Sequence, residues 1–210
     1  MLSPPAPHSF PHPEVAMLLI LLATTLANPA HDPAPAHAGL ACITMNTTNL
    51  PLATRKSPLD SLSFKVGAAD VKLCYGRPSA RGRTMIGGDA VPFGKLWRTG
   101  ANEPTMIHST GPLVIAGVAV PAGSYSIYSV PGPSEWQIIV NRSITQWGHE
   151  SRYTDEVKAQ EVGHGTVQSS AIPNPVETLT FHTEAGSGGA VNLILEWEKT
   201  RVTIPVAPGK

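Results

Sequence analysis

Between Tyr75 and Thr105 the chain reads YGRPSARGRTMIGGDAVPFGKLWRTGANEPT, setting Arg77, Arg81, Arg83, Lys95 and Arg98 against only Asp89 and Glu103. Glycines at positions 76, 82, 87, 88, 94 and 100 interrupt it. A guanidinium forks onto two carboxylate or phosphate oxygens at once, and glycines let backbone N–H groups approach the same anion. Arg77, Arg81, Arg83 and Arg98 are therefore expected to hold the oxygens of a small polar or anionic ligand. The end of the stretch, WRTGANE, adds an aromatic ring, an amide and a carboxylate, a set suited to sugars. Here Trp97 would supply an apolar face, and Asn102 and Glu103 would fix orientation. The same residues admit a structural reading. In that reading the arginines pair with Asp89, Glu103 or Glu196, Trp97 belongs to the core, and Asn102 supports a turn.

Other chemistries find no support in the pattern. No Gly-Lys-Ser/Thr follows the arginines and no G-x-G-x-x-G occurs, so neither phosphate loop is present. A glycosidase needs two carboxylates across a cleft. Glu103 is one, and nothing in the sequence pairs it with Asp89 or Glu196. Histidines 108, 149, 164 and 182 are scattered without metal-ligand spacing, so no metal and no cofactor is expected. A G-x-S-x-G nucleophile turn is missing. Lys plus Arg and Asp plus Glu are both 15, so the formal net charge is zero and there is no basic face for nucleic acid.

These residues must be positioned by a scaffold, and the composition points to β structure. Charged residues are only 14%, while Gly 19 and Pro 21 are abundant. Leu62, Phe64 and Val66 alternate with polar residues, and so do Val71, Leu73 and Tyr75. Thr105–Ser109 and Leu113–Val120 read as further strands, with a break at Gly117. Tyr125, Ile127 and Ser129 follow the turn Pro121-Ala122-Gly123; Trp136, Ile138 and Val140 follow Pro131-Gly132-Pro133. Leu179 and Phe181, Val191 to Trp197, and Val202 and Ile204 complete the pattern. Only Thr154 to Glu161 has helical composition. Period-two alternation with short turns predicts an all-β domain over 57–206, an antiparallel β-sandwich or flattened barrel with one long Arg/Gly-rich loop. The outward positions are mostly Ser, Thr, Asn and Gln, which suits a face covered by loops as well as one facing water.

The N-terminal part reads differently. Val15–Ala23 (VAMLLILLA) is apolar, too short to span a bilayer, and sized like a signal-peptide core. Ala36-His37-Ala38 offers a cleavage site, with Thr25-Leu26-Ala27 as a second and Met17 as an alternative start. Residues 1–38 are therefore expected to be a signal peptide and 39–56 a disordered linker. The mature chain would be exported, to periplasm or exterior, without a membrane span. Export would permit a disulfide between Cys42 and Cys74. With Cys42 in a flexible tail, a free, half-buried Cys74 is the expected state.

The order of GRPSARGR, VPFGKLWRTGANEPT, PAGSYSIYSVPG, EWQIIVN, QWG and PVETLTF resembles the bacterial domain-of-unknown-function 2911 family over about Ser57 to Val206. The resemblance implies an exported, β-rich protein without established activity and supplies no catalytic residues. Its recurring segments fall on Gly76–Arg83 and Pro92–Glu103. Cys74 departs from the family pattern, which is usually acidic or polar there. The reading that follows is an exported binding module for a small polar or anionic ligand, such as a cell-envelope saccharide. The alternatives are an envelope-glycan hydrolase with Glu103 as general acid or base, and a purely structural envelope protein.

Overall fold

The computed structural model describes residues 1–3 and 40–210. Its second compact unit, His37–Lys210, contains the whole β domain. The strands are β1 (Leu59–Val66), β2 (Ala69–Gly76), β3 (Thr105–Ser109), β4 (Leu113–Ile115), β5 (Val118–Val120), β6 (Gly123–Val130), β7 (Glu135–Asn141), β8 (Glu161–Ala185) and β9 (Val191–Pro208), with one short helix, α1 (Asp155–Lys158). They form a single open antiparallel sheet in the order β1-β2-β3-β6-β7-β8-β9-β4-β5. The first part of β8 pairs with β7 and its remainder with β9, so this one long strand carries the chain from one half of the sheet to the other. This is the expected all-β architecture.

The alternation that predicted the strands also builds the core. Phe64, Val66, Val71, Leu73, Tyr75, Ile107, Ile127, Trp136, Ile138 and Val140 come from one half of the sheet. Leu113, Ile115, Val118, Val120, Leu179, Phe181, Leu195, Trp197, Val202 and Ile204 come from the other. Trp97 joins the halves, stacked on Trp197 at 6.0 Å and edge-on to Trp136 at 6.0 Å. All five residues of β3 are buried, and so are Ile138–Asn141, so these strands are covered on both faces. The outward polar residues meet the segment after β7. Ser126 donates to Ser143 O at 2.7 Å, Asn141 Nδ2 donates to Val157 O at 2.7 Å, and Gln146 Nε2 donates to the Tyr128 hydroxyl at 2.9 Å.

Two expectations about the N-terminal side require correction. Cys42 and Cys74 form a disulfide, so Cys74 is not a free thiol. Residues 40–56 are also not a free linker. Besides that bond, the Arg55 side chain is fully buried, and its guanidinium donates to both oxygens of Glu103 at 2.7 and 3.0 Å. It also donates to Met45 O at 2.8 Å, while Met45 N donates back to Glu103 Oε1 at 2.6 Å. The segment has no hydrophobic period because it is held at two points rather than by an apolar face. The expected signal peptide falls almost entirely outside the described residues. Among those described, no helix is long and apolar enough to cross a membrane.

Candidate functional site

The Arg/Gly loop is anchored where β8 loses its register. Pro173 and Pro175 cannot donate to a ladder, and the pairing of β8 with β9 shifts between Ala171 and Val176 and again before Thr180. The backbone groups this frees are taken by the chain leaving β2. Leu179 N donates to Pro78 O at 2.9 Å, and Ala80 N donates to Glu177 O at 2.9 Å. Arg81 (φ 52°) and Gly82 (φ 72°) then make a tight turn closed by Arg83 N donating to Ala80 O at 3.2 Å. Positive φ at both central residues is the type I′ signature. Glycine suits its half of this turn; Arg81 adopts the left-handed region at a cost, and such strain collects at functional sites. Glu177 steadies the turn by accepting from Arg81 N at 2.7 Å. Glu198 fixes the next segment by accepting from Met85 N at 3.1 Å and Ile86 N at 2.8 Å.

The turn brings Arg81 and Arg83 to one cavity. Its volume is about 410 Å3, and it is lined by Lys56, Ser57, Pro78, Ser79, Arg81 and Arg83. Arg83 donates to Ala80 O at 2.9 Å and Ser79 O at 3.2 Å, and Arg81 donates to Lys56 O at 3.3 Å. Among the described residues neither guanidinium meets a carboxylate, and none lines the cavity. Arg77 lies deeper, donating to Leu179 O at 3.1 Å and Thr180 Oγ1 at 3.0 Å and meeting Asp60 at 3.5 Å. Beside it, burial pushes the Tyr75 phenol up to about 12, with the Asp60 charge adding to the rise and the Phe181 N–H and Arg77 opposing it.

The other half of the motif is built into the scaffold. Trp97 is 4% exposed and exchanges backbone hydrogen bonds of 2.8 Å with Ser129. Its ring is inside the core, so it offers no stacking face to a ligand. Arg98 pairs with Glu150 at 3.5 Å. Asn102 takes a positive φ of 66° and donates to Ser57 O at 2.8 Å. Glu103 is 3% exposed, with both carboxylate oxygens held by Arg55 and Met45 N. Gly76 lets this loop settle on the end of β2, since a Cβ there would collide with Ala101 O. Of the seven residues singled out, Arg81 and Arg83 share the cavity, with Arg77 beside them. Trp97, Arg98, Asn102 and Glu103 serve the fold. The carboxylates that brace the arginines are Asp60 and Glu150, rather than Asp89, Glu103 or Glu196; Glu196 pairs with Arg201. Lys56 was missed, because its only signal is a charge in a segment without periodicity.

A family described as "Protein of unknown function (DUF2911)" matches residues 57–206. The chain belongs to this family. No curated protein and no solved structure matches it. The DUF2911 match contains Cys74, Glu103, Arg81 and Arg83, whereas Cys42, Arg55 and Lys56 precede it. In this DUF2911 protein, then, residues before the matched span complete both the disulfide and the buried ion pair, and add one cation to the cavity. Among the described residues no three His, Cys, Asp or Glu side chains gather as metal ligands would.

Proposed function

We propose that this protein binds a small anionic ligand in the Lys56–Arg81–Arg83 cavity. The observation that carries the proposal is the charge of that cavity: three cationic side chains line about 410 Å3 without a carboxylate among them. These guanidiniums meet backbone carbonyls but no carboxylate, which keeps their charge and remaining donors for a ligand's oxygens, and Ser57 and Ser79 line the same cavity. The volume suits a small ligand. Binding is favoured over glycan hydrolysis because the cavity lacks the two carboxylates that hydrolysis requires, and Glu103 is enclosed by Arg55. We place the protein outside the cytoplasm, which the disulfide supports.

Thermal denaturation across a panel of phosphate esters, dicarboxylates and neutral sugars tests this. Anionic members are expected to raise Tm and neutral sugars to leave it unchanged, since a ligand that binds only the folded state stabilises it. Arg81→Ala and Arg83→Ala should each weaken the effect about tenfold or more in ligand concentration, the equivalent of one charge-assisted hydrogen bond. Shifts that persist in both variants would place the ligand elsewhere.

A further inference from the structure

A second cavity, of about 670 Å3, opens between the N-terminal segment and the loop after β7. Met45 and Asn46 form one wall; Gln146, Trp147, Arg152 and Thr154 contribute to the other. We propose that it is a carbohydrate site selective for sugars bearing a carboxylate, separate from the Arg81–Arg83 cavity.

The chemistry follows from the side chains present. Trp147 is only half-buried, whereas Trp97, Trp136 and Trp197 lie in the core. An indole at a cavity wall stacks against the C–H face of a pyranose, and convergent amides and hydroxyls fix its hydroxyl groups. Thr145 and the Asn46 Nδ2 supply those groups, while Asn46 Oδ1 accepts from Asn49 Nδ2 at 3.0 Å. Gln146 is held in place by Tyr128 at 2.9 Å and Ser143 at 2.7 Å, so its part of the wall is rigid. Arg152 is exposed and meets no carboxylate among the described residues, which leaves its fork for an acidic sugar. The Arg55 guanidinium lies over the Trp147 ring, 5.9 Å from its centre and within cation–π range. The wall from Met45 and Asn46 is pinned by Cys42–Cys74 and by the Met45–Glu103–Arg55 contacts, so the cavity is assembled by the same fastenings that hold the N-terminal segment.

Trp147 makes the test direct, because it is the accessible tryptophan. The oxidised full chain is titrated with glucuronate and galacturonate, their β-linked disaccharides, the matching neutral sugars and acetate, while tryptophan emission is followed. Saturable change with the acidic sugars, at least tenfold weaker with neutral sugars and missing with acetate, is expected. Arg152→Ala should abolish the preference for the acidic sugar, and Trp147→Phe should remove the emission change while calorimetric binding survives in weakened form. The Arg81→Ala/Arg83→Ala double variant should bind as wild type does. Absence of saturable change with every acidic sugar, or an unaltered preference in Arg152→Ala, overturns the proposal. Loss of the signal in the Arg81→Ala/Arg83→Ala variant also overturns it, by assigning the binding to the other cavity.

Discussion

Replacing Arg55 by Met leaves the Glu103 carboxylate 3% exposed, with Met45 N as its remaining partner. In the native protein the guanidinium makes two hydrogen bonds to Glu103 and two more to the carbonyls of Met45 and Leu50. Breaking one partner of a buried pair costs about 3–5 kcal/mol, because the other charge is stranded without water. Total stability of a domain is about 5–15 kcal/mol, so the variant should lose a large share of it. At roughly 2–4 °C per kcal/mol for a domain of this size, Tm should fall by about 6–20 °C. Glu103→Leu should behave similarly, since it strands the guanidinium instead. The double variant Arg55→Met/Glu103→Leu strands no charge, only the backbone groups of Met45 and Leu50, so its loss should be smaller than the sum of the single losses by at least about 2 kcal/mol. Urea melts of the four proteins under oxidising conditions measure this cycle. Single losses within about 0.5 kcal/mol, the range of ordinary surface substitutions, would refute the reasoning. So would strictly additive losses.

Three further outcomes are expected. The disulfide closes a loop with a sequence separation of 32, and loss of such a cross-link should cost roughly 3–4 kcal/mol in the chain-entropy account, read from urea melts of Cys42→Ser/Cys74→Ser against wild type. Unchanged midpoints would show that the segment is held by Arg55 alone. Arg81→Gly should be more stable than Arg81→Ala by about 1 kcal/mol, because only glycine relieves the positive φ of this turn; equal stabilities would mean the turn relaxes. The Tyr75 phenol is raised from 10.0 to about 12, so its contribution to stability is fully present below about pH 10 and drains as pH rises through about 12. Melts across that window should show the decline, and Tyr75→Phe should flatten it; an equal decline in Tyr75→Phe would assign it to other groups.

The strands were legible because burial imposes a period of two on β1, β2, β6 and β7. The sequence also located the loop on which Arg81 and Arg83 meet. It did not sort the arginines, since a guanidinium looks the same whether it faces a cavity or braces a neighbouring element. Glu150 and Asp60, the carboxylates that settle Arg98 and Arg77, lie 52 residues downstream and within β1 respectively. The role of Glu103 was hidden for a related reason: its partner, Arg55, sits in a stretch without periodicity, 48 residues away. That stretch read as linker because one ion pair and one disulfide leave no pattern of apolar residues. The extent of β8 was also underread, since its two prolines and shifting register interrupt the alternation that marks a strand.

If the Lys56–Arg81–Arg83 cavity binds a small anion, as we propose, removing both arginines should abolish binding. Isothermal titration of wild type and the Arg81→Ala/Arg83→Ala variant with an organic dianion, at two salt concentrations, tests it most directly. Wild type should bind one-to-one, more weakly at high salt because the contacts are partly exposed, and the variant should show no measurable binding at the same concentrations. Equal affinity in the two proteins, or no binding of any organic anion by wild type, would contradict it.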